Sequence, residues 1–378
     1  MTAAPPRFVI DARYVEPKPS GIGRYVEALV ERVPALDPQS RFELWTHPAR
    51  PAPVTYPNVS CHPVPAPSDG LRTLLVPSWL GRLSSNDVVH FPFSILGRGL
   101  PCATVVTIHD LMWLEQPELV EGRPLMRRIR RPYYYRGVTW ALRHATRLIA
   151  VSEATRARML AAWPECEPRV RVTYNAVDAR FGPAIAATGR AELLLGSAAP
   201  YYLLVGKNEP YKGHAVAVEA FAKSARDDER LVLIQRASGG RGLLELAARL
   251  GVAERVQLLP AVTSEDLVSL LQAARALLQP SIVEGFGIPV LEAMACGCPV
   301  IASDTAALVE VGGGASLHAA VGDASALAAA ITRLRSENRE DLRQRGLARA
   351  AQFSWERTAA ETLAVYREAA AERARSAA

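Results

Sequence analysis

Two glutamates and two glycines stand close together in the run Ser281-Ile282-Val283-Glu284-Gly285-Phe286-Gly287-Ile288 and the stretch after it, where Glu292 lies eight positions beyond Glu284. A glycine-flanked turn that leads into a helix presents backbone N–H groups and the positive end of the helix dipole to whatever sits above it. Such a turn is an anion site, and phosphate is its commonest occupant. The carboxylates on either side accept hydrogen bonds from hydroxyls. A diphosphate held at the loop can therefore carry one hydroxyl-bearing group toward Glu284 and another toward Glu292. That combination suits a nucleotide-sugar better than a bare nucleotide. The competing reading is an ordinary parallel-sheet crossover whose glycines only let a helix pack close to its strand.

The elements that must hold these residues read as strand, loop, helix, strand. Residues 276–279 are a short apolar run closed by Pro280, as expected of a buried parallel strand. Pro289 suits a first helical turn, where its missing N–H costs nothing. Leu291, Met294 and Ala295 supply an apolar helix face, Gly297 and Pro299 end it, and Val300 and Ile301 open the next strand. Upstream, residues 7–12 read as a first buried strand. Gly21 and Gly23 form a glycine turn ahead of the helical spacing Tyr25, Leu29 and Val33, but the turn lacks the third glycine of a dinucleotide fingerprint. Further strands are expected at 42–45, 88–91, 103–108, 148–151, 202–205, 231–234 and 255–259, while the proline-rich stretch 47–70 reads as irregular. His109 and Asp110 follow the strand 103–108 at its carboxyl end, where open α/β sheets bind their ligands. Lys207 and Lys212 follow the strand 202–205 in a loop able to face the anion cradle, and lysine binds phosphate as a compact charge.

Composition sets the outer bounds. A chain of 378 residues suits two domains, and 49% hydrophobic with 22% charged residues is a globular balance. No run of 18 apolar residues suggests a membrane-spanning helix, and the opening MTAAPPRFVIDARY does not read as a secretory signal. The five cysteines (Cys61, Cys102, Cys166, Cys296 and Cys298) include no second close-set pair to complete a zinc site, so free thiols in a reducing cytoplasm are expected. A net charge of +6 fits an anionic ligand or a membrane surface. Residues 123–147 carry eight arginines and no acid, interleaved with Tyr133, Tyr134, Tyr135 and Trp140. The stretch reads as a solvated helix face, as a surface resting on anionic lipid or an acceptor through Arg127, Arg128, Arg130 and Arg131, or as a nucleic-acid patch. Nothing else in the chain suggests a nucleic-acid module. Residues 183–200, rich in glycine, alanine and proline, suit an interdomain linker.

The segment EGFGIPVLEAMACGCPV, with seven residues between its two glutamates, closely resembles the donor-binding segment of the family 4 retaining glycosyltransferases. VVTIHDLMW, AVSEATRARML, VTYNAVDARF and FSWERTA resemble other segments of that family. The resemblance implies an α/β protein of the GT-B fold, two Rossmann-like doubly wound domains facing an interdomain cleft. It implies an acceptor-side domain at 1–182, a linker at 183–200, a donor domain at 201–353 and a C-terminal helix at 354–378 crossing back onto the first domain. It implies hexose transfer from a nucleotide-sugar to a hydroxyl of a saccharide or lipid-linked acceptor, with configuration retained and no metal or other cofactor. Glu284 is then expected on the hexose, Glu292 on the ribose, and Lys212 with Gly285, Phe286, Gly287 and Ile288 on the diphosphate. His109 is expected beside the transferred sugar, and Gly21 and Gly23 facing the diphosphate across the cleft. His109, Lys212 and Glu284 are the catalytic candidates. Three departures stand out. Tyr211 occupies a position where some members carry arginine, so Lys207 is expected to supply the second positive charge. Ala176 replaces a usual glycine, and Gln235-Arg236 stands where the family tends to have glycine. GIGRY near the start and HDLMW look most like bacterial transferases of mannose or related sugars to polysaccharide or lipid-linked acceptors, which puts GDP-mannose first and a UDP-hexose second as donor. The expected location is cytoplasmic, with the inner face of the cell membrane as a peripheral site. A nucleotide-sugar epimerase of the same fold and a non-catalytic nucleotide-sugar-binding protein are the alternatives, with a dehydrogenase more distant.

Overall fold

The computed structural model describes residues 6–15, 21–50, 54–66, 83–120, 124–183, 189–235 and 240–377. The chain divides into two compact units, one of Met1–Pro117, Arg123–Asn175 and Ser354–Ala378, the other of Glu118–Gly122 and Ala176–Phe353. The chain thus leaves the first unit at Asn175, short of the boundary at 182 read from the sequence, and returns to it at Ser354.

The first unit is built on a seven-stranded sheet in the order β3-β2-β1-β4-β5-β6-β7. Its strands are β1 Arg7–Asp11, β2 Arg41–Thr46, β3 Val59–Pro63, β4 Val88–Phe91, β5 Ala103–Ile108, β6 Arg147–Ala150 and β7 Val170–Val172. All pairings are parallel. Parallel strands need crossover helices, which cover the sheet and leave its strands apolar without alternation. β4, β5 and β6 are accordingly buried at every position. β3 corrects the expectation of an irregular stretch at 47–70. It is an edge strand, mostly exposed and ending on Pro63, and a strand with one neighbour needs no apolar run to reveal it. The helix Gly21–Leu36 corrects another expectation, since Gly21 and Gly23 lie in its first turn rather than in a loop ahead of it. Tyr25, Leu29 and Val33 are fully buried along one side, as a 3.6-residue period requires.

The long closing helix Trp355–Ala377 packs in this first unit, against β5, β6 and the helix Gly21–Leu36. Thr358 donates to the Tyr174 carbonyl at 2.6 Å, and Glu368 takes Arg147 at 3.1 Å and Arg171 at 2.8 Å. No described helix is long and apolar enough to cross a membrane.

The second unit carries a six-stranded sheet in the order β10-β9-β8-β11-β12-β13. Its strands are β8 Tyr201–Val205, β9 Arg230–Ile234, β10 Val256–Leu259, β11 Ala276–Gln279, β12 Val300–Ser303 and β13 Leu317–Ala319. Tyr202, Phe221, Leu231, Leu278, Ile301 and Ile331 form the centre of its core. In both sheets the order reverses at the first strand, between β1 and β4 and again between β8 and β11. At such a reversal the loops leave in opposite directions and open a crevice at the strands' carboxyl ends, where doubly wound sheets bind ligands. Four of the five cysteines are buried and none is paired; burial pushes the Cys296 and Cys298 thiols up to about 12, which keeps them protonated.

Candidate active site

The reversal point of the second sheet is where the chemistry gathers. After β8 the chain makes a short turn at Pro210–Lys212 and enters the helix His214–Ser224 through Gly213, whose φ is +64°. After β11 it passes Pro280 and turns toward the helix Ile288–Ala295. The two loops are bonded backbone to backbone, with the Ile282 N–H donating to the Tyr211 carbonyl at 2.7 Å. Gly213 lets them approach, since a Cβ there would stand 2.1 Å from the Pro280 carbonyl oxygen. This contact sets Lys212 beside Glu284, with Nζ 2.8 Å from Oε2.

The carboxylate is held from several sides. Glu284 Oε2 also accepts from Ser281 Oγ at 3.1 Å and from Gln279 Nε2 at 3.4 Å, while Gln279 Nε2 donates to Ser281 Oγ at 2.9 Å. Ser303, at the end of β12, donates to the Ser281 carbonyl. Lys212 also lies over the Tyr211 ring, 5.1 Å from its centroid. The Lys212 and Glu284 side chains are only 15% and 14% exposed, so their attraction is less screened than that of a surface pair. Lys207, by contrast, is exposed, and its side chain makes no ion pair among the described residues. The structure brings one of the two candidate lysines to Glu284 and leaves the other in solvent.

Gly287 turns the chain into the helix Ile288–Ala295 at φ +106°, with Pro289 in the first turn. Glu292 sits on this helix, 4% exposed. The Phe286 ring is buried and packs edge-on against Phe353, centroids 5.8 Å apart. Its aromatic surface therefore belongs to the core, so the donor-binding expectation at this position does not extend to the ring. Beside the lysine, burial first and the Lys212 charge second push His214 down to about 4. Gln235 stands 3.0 Å from His214 Nδ1, a contact that glycine at this position would not make. Arg236, the other half of that departure, lies outside the described residues.

In the first unit, His109 follows β5 as its sequence position suggested. Its Nε2 lies 2.9 Å from the Pro92 carbonyl, and burial pushes the imidazole down to about 4. A carbonyl only accepts, so Nε2 carries the proton and Nδ1 is an acceptor near neutral pH. The ring meets Tyr25 edge-on, centroids 5.0 Å apart. The Tyr25 hydroxyl is 2.9 Å from Thr107 Oγ1, which is 2.8 Å from His90 Nε2, and His90 Nδ1 is 2.6 Å from the Tyr366 hydroxyl. Burial, with His109 nearby, pushes His90 down to about 3, so both imidazoles are neutral. His109 is thus backed by an aromatic ring anchored in a buried polar chain.

Comparison with known proteins decides the family. Residues 188–351 match the family described as glycosyl transferases group 1, and residues 19–181 match glycosyltransferase family 4. The chain is 30% identical over 364 residues to a D-inositol 3-phosphate glycosyltransferase of Segniliparus rotundus, covering 83% of this chain and 76% of that one. It is 32% identical over 303 residues to the O-antigen chain mannosyltransferase B of Escherichia coli, covering 77% and 76%. The chain belongs to glycosyltransferase family 4. Among solved structures, sucrose-phosphate synthase from Thermosynechococcus elongatus is similar with a TM-score of 0.71 and 20% identity, over 97% of this chain and 99% of that one. Anabaena HepE in complex with UDP-glucose follows at 0.67 and 19%, over 95% and 99%. This glycosyltransferase therefore has the GT-B fold, two parallel-sheet α/β domains.

The arginine-rich stretch of the glycosyltransferase forms the helix Pro124–His144. It does not present its four candidate arginines alike. Arg128 and Arg131 are exposed, as are Leu125 and Ile129, at 70% and 62%. Arg127 is half-buried, and Arg130 lies 5.8 Å from the centroids of both the Trp113 and Tyr134 rings, which are stacked on each other. Sequence reasoning also passed over Gln279, Ser281 and Ser303. A polar residue closing an otherwise apolar buried strand was the available signal for Gln279, and β11 and β12 both end that way.

Proposed function

We propose that this glycosyltransferase moves a hexose from a nucleotide-sugar to a hydroxyl of a saccharide or lipid-linked acceptor, retaining the anomeric configuration and using no metal ion. The observation that carries the reading is the Lys212–Glu284 contact at the sheet's reversal point. It places a cation suited to a diphosphate 2.8 Å from an anion suited to sugar hydroxyls. In the reaction the bond from the anomeric carbon to the diphosphate oxygen breaks, and its electron pair leaves with the diphosphate. The acceptor oxygen bonds to the same carbon and its proton passes to the departing phosphate. Lys212 and the positive end of the helix Ile288–Ala295 stabilise the charge that grows on the leaving group, the role a divalent cation has in other phosphate chemistry. Glu284 orients the hexose and Glu292 the ribose by accepting hydroxyl hydrogen bonds, and His109 offers Nδ1 to a further hydroxyl. A mannosyl donor, GDP-mannose, is the first choice, supported by the similarity to the Escherichia coli mannosyltransferase. A UDP-hexose is second, supported by the likeness to a fold that binds UDP-glucose in HepE.

A thermal-shift panel of GDP, UDP, ADP and their sugars tests the donor. A ligand at 100 times its dissociation constant should add about 2.7 kcal/mol of stability. The proton spectrum of the product then reads the anomeric configuration. An epimerised nucleotide-sugar formed from donor alone would overturn the transferase reading.

We also propose that the N-terminal turns of the helix Pro124–His144, where Leu125, Arg128, Ile129 and Arg131 are all exposed, rest on anionic lipid at the inner face of the cell membrane. Apolar side chains beside basic ones fit an interface where each arginine contributes about 1 kcal/mol. Removing both charges in an Arg128→Gln/Arg131→Gln variant should weaken sedimentation with phosphatidylserine vesicles about 30-fold. Unchanged sedimentation retires the idea.

A further inference from the structure

We infer that the Lys212–Glu284 pair selects the intact nucleotide-sugar over the nucleoside diphosphate that remains after transfer. The inference rests on the reading that this crevice binds a nucleotide-sugar. Lys212 has one ammonium to place, and in the structure it is placed on Glu284. A diphosphate competes for that ammonium. When it takes Lys212, Glu284 keeps, among the described residues, the neutral donors Ser281 and Gln279, at 3.1 and 3.4 Å, and no cation. With both side chains mostly out of solvent, losing that partner is costly. A nucleotide-sugar makes the exchange balanced, because its phosphates take Lys212 while its hexose hydroxyls donate to Glu284. Once the hexose has left, the carboxylate again lacks donors and draws Lys212 back from the diphosphate. The same pair thus holds the donor and helps to expel the product.

Calorimetric titration of the full chain with UDP, GDP, UDP-glucose and GDP-mannose tests this. In Glu284→Gln the preferred nucleoside diphosphate should bind about tenfold tighter, a change of about 1.4 kcal/mol, while its nucleotide-sugar binds more weakly. In the Lys212→Met background the same Glu284→Gln change should leave diphosphate affinity within about twofold, because the competition is gone. A measurement on the unaltered protein stands beside these: saturating free glucose or mannose, supplying hydroxyls to Glu284, should tighten diphosphate binding about fivefold. No gain in Glu284→Gln overturns the inference. A gain that persists in the Lys212→Met background also overturns it, since it would be plain charge repulsion, and so does diphosphate binding that neither hexose alters. In each of those cases the unaltered protein still binds nucleotide-sugar and the proposed function stands. If it binds none of the four ligands, the functional reading itself fails and takes the inference with it.

Discussion

Lys212→Met is expected to lower the rate of sugar transfer by about 10²–10³, the effect of removing one preorganised group from a developing oxyanion. The negative charge on the leaving diphosphate is greater in the transition state than in the bound donor. The lysine's contribution should therefore appear mainly in kcat. Steady-state assay of nucleotide release with donor and acceptor measures it. A change confined to KM would mean that Lys212 grips the donor equally in both states and does not assist the chemistry. Lys207→Met is the matched control. Its side chain is exposed and makes no ion pair among the described residues, so the loss should stay below about tenfold. Equal losses from the two variants would contradict the assignment of Lys212 as the cation of this site.

The second large effect is structural. Gly213→Ala should destabilise the second unit by about 3 kcal/mol or more and abolish transfer with it. At φ +64° an L-residue already costs about 1–2 kcal/mol, and the new methyl would stand 2.1 Å from a backbone carbonyl, that of Pro280. A backbone oxygen cannot rotate away as a side chain can. The loops after β8 and β11 must therefore separate, taking with them the Ile282–Tyr211 bond and the Lys212–Glu284 contact. A fall of about 6–12 °C in that unit's melting transition is expected. Gly314→Ala provides the comparison. Nothing lies within 4 Å of its would-be Cβ and its φ is ordinary, so the change should stay within about 0.5 kcal/mol. A stable, active Gly213→Ala protein would show that the close approach of the two loops is not needed.

The amino-acid sequence was informative wherever a short run carried its own physics. The largely apolar and β-branched, fully buried runs of β5 and β11 have few other places to go than the middle of a parallel sheet. Gly287 followed by Ile288-Pro289 announces a helix start, and the spacing of Glu284 and Glu292 survives any arrangement of the rest. Edge strand β3 was hidden because its residues have no second neighbour to satisfy. Gly21 and Gly23 misled because glycine marks a turn and a helix's first turn about equally well.

What needed the folded chain was every pairing across strands distant in sequence. Lys212 and Lys207 are five positions apart on one loop, and nothing local says which of them meets Glu284. Because β8 lies beside β11, with β9 on its other side, the carboxyl ends of those two strands open onto one crevice. The neighbouring strand β12 brings Ser303 to the Ser281 carbonyl behind the carboxylate, and the fold sets Arg130 over the Trp113 and Tyr134 rings while Arg128 and Arg131 stay exposed. Helix and strand starts are set by interactions over a few residues. The partner of a charge depends on which strands the whole hydrophobic core brings side by side.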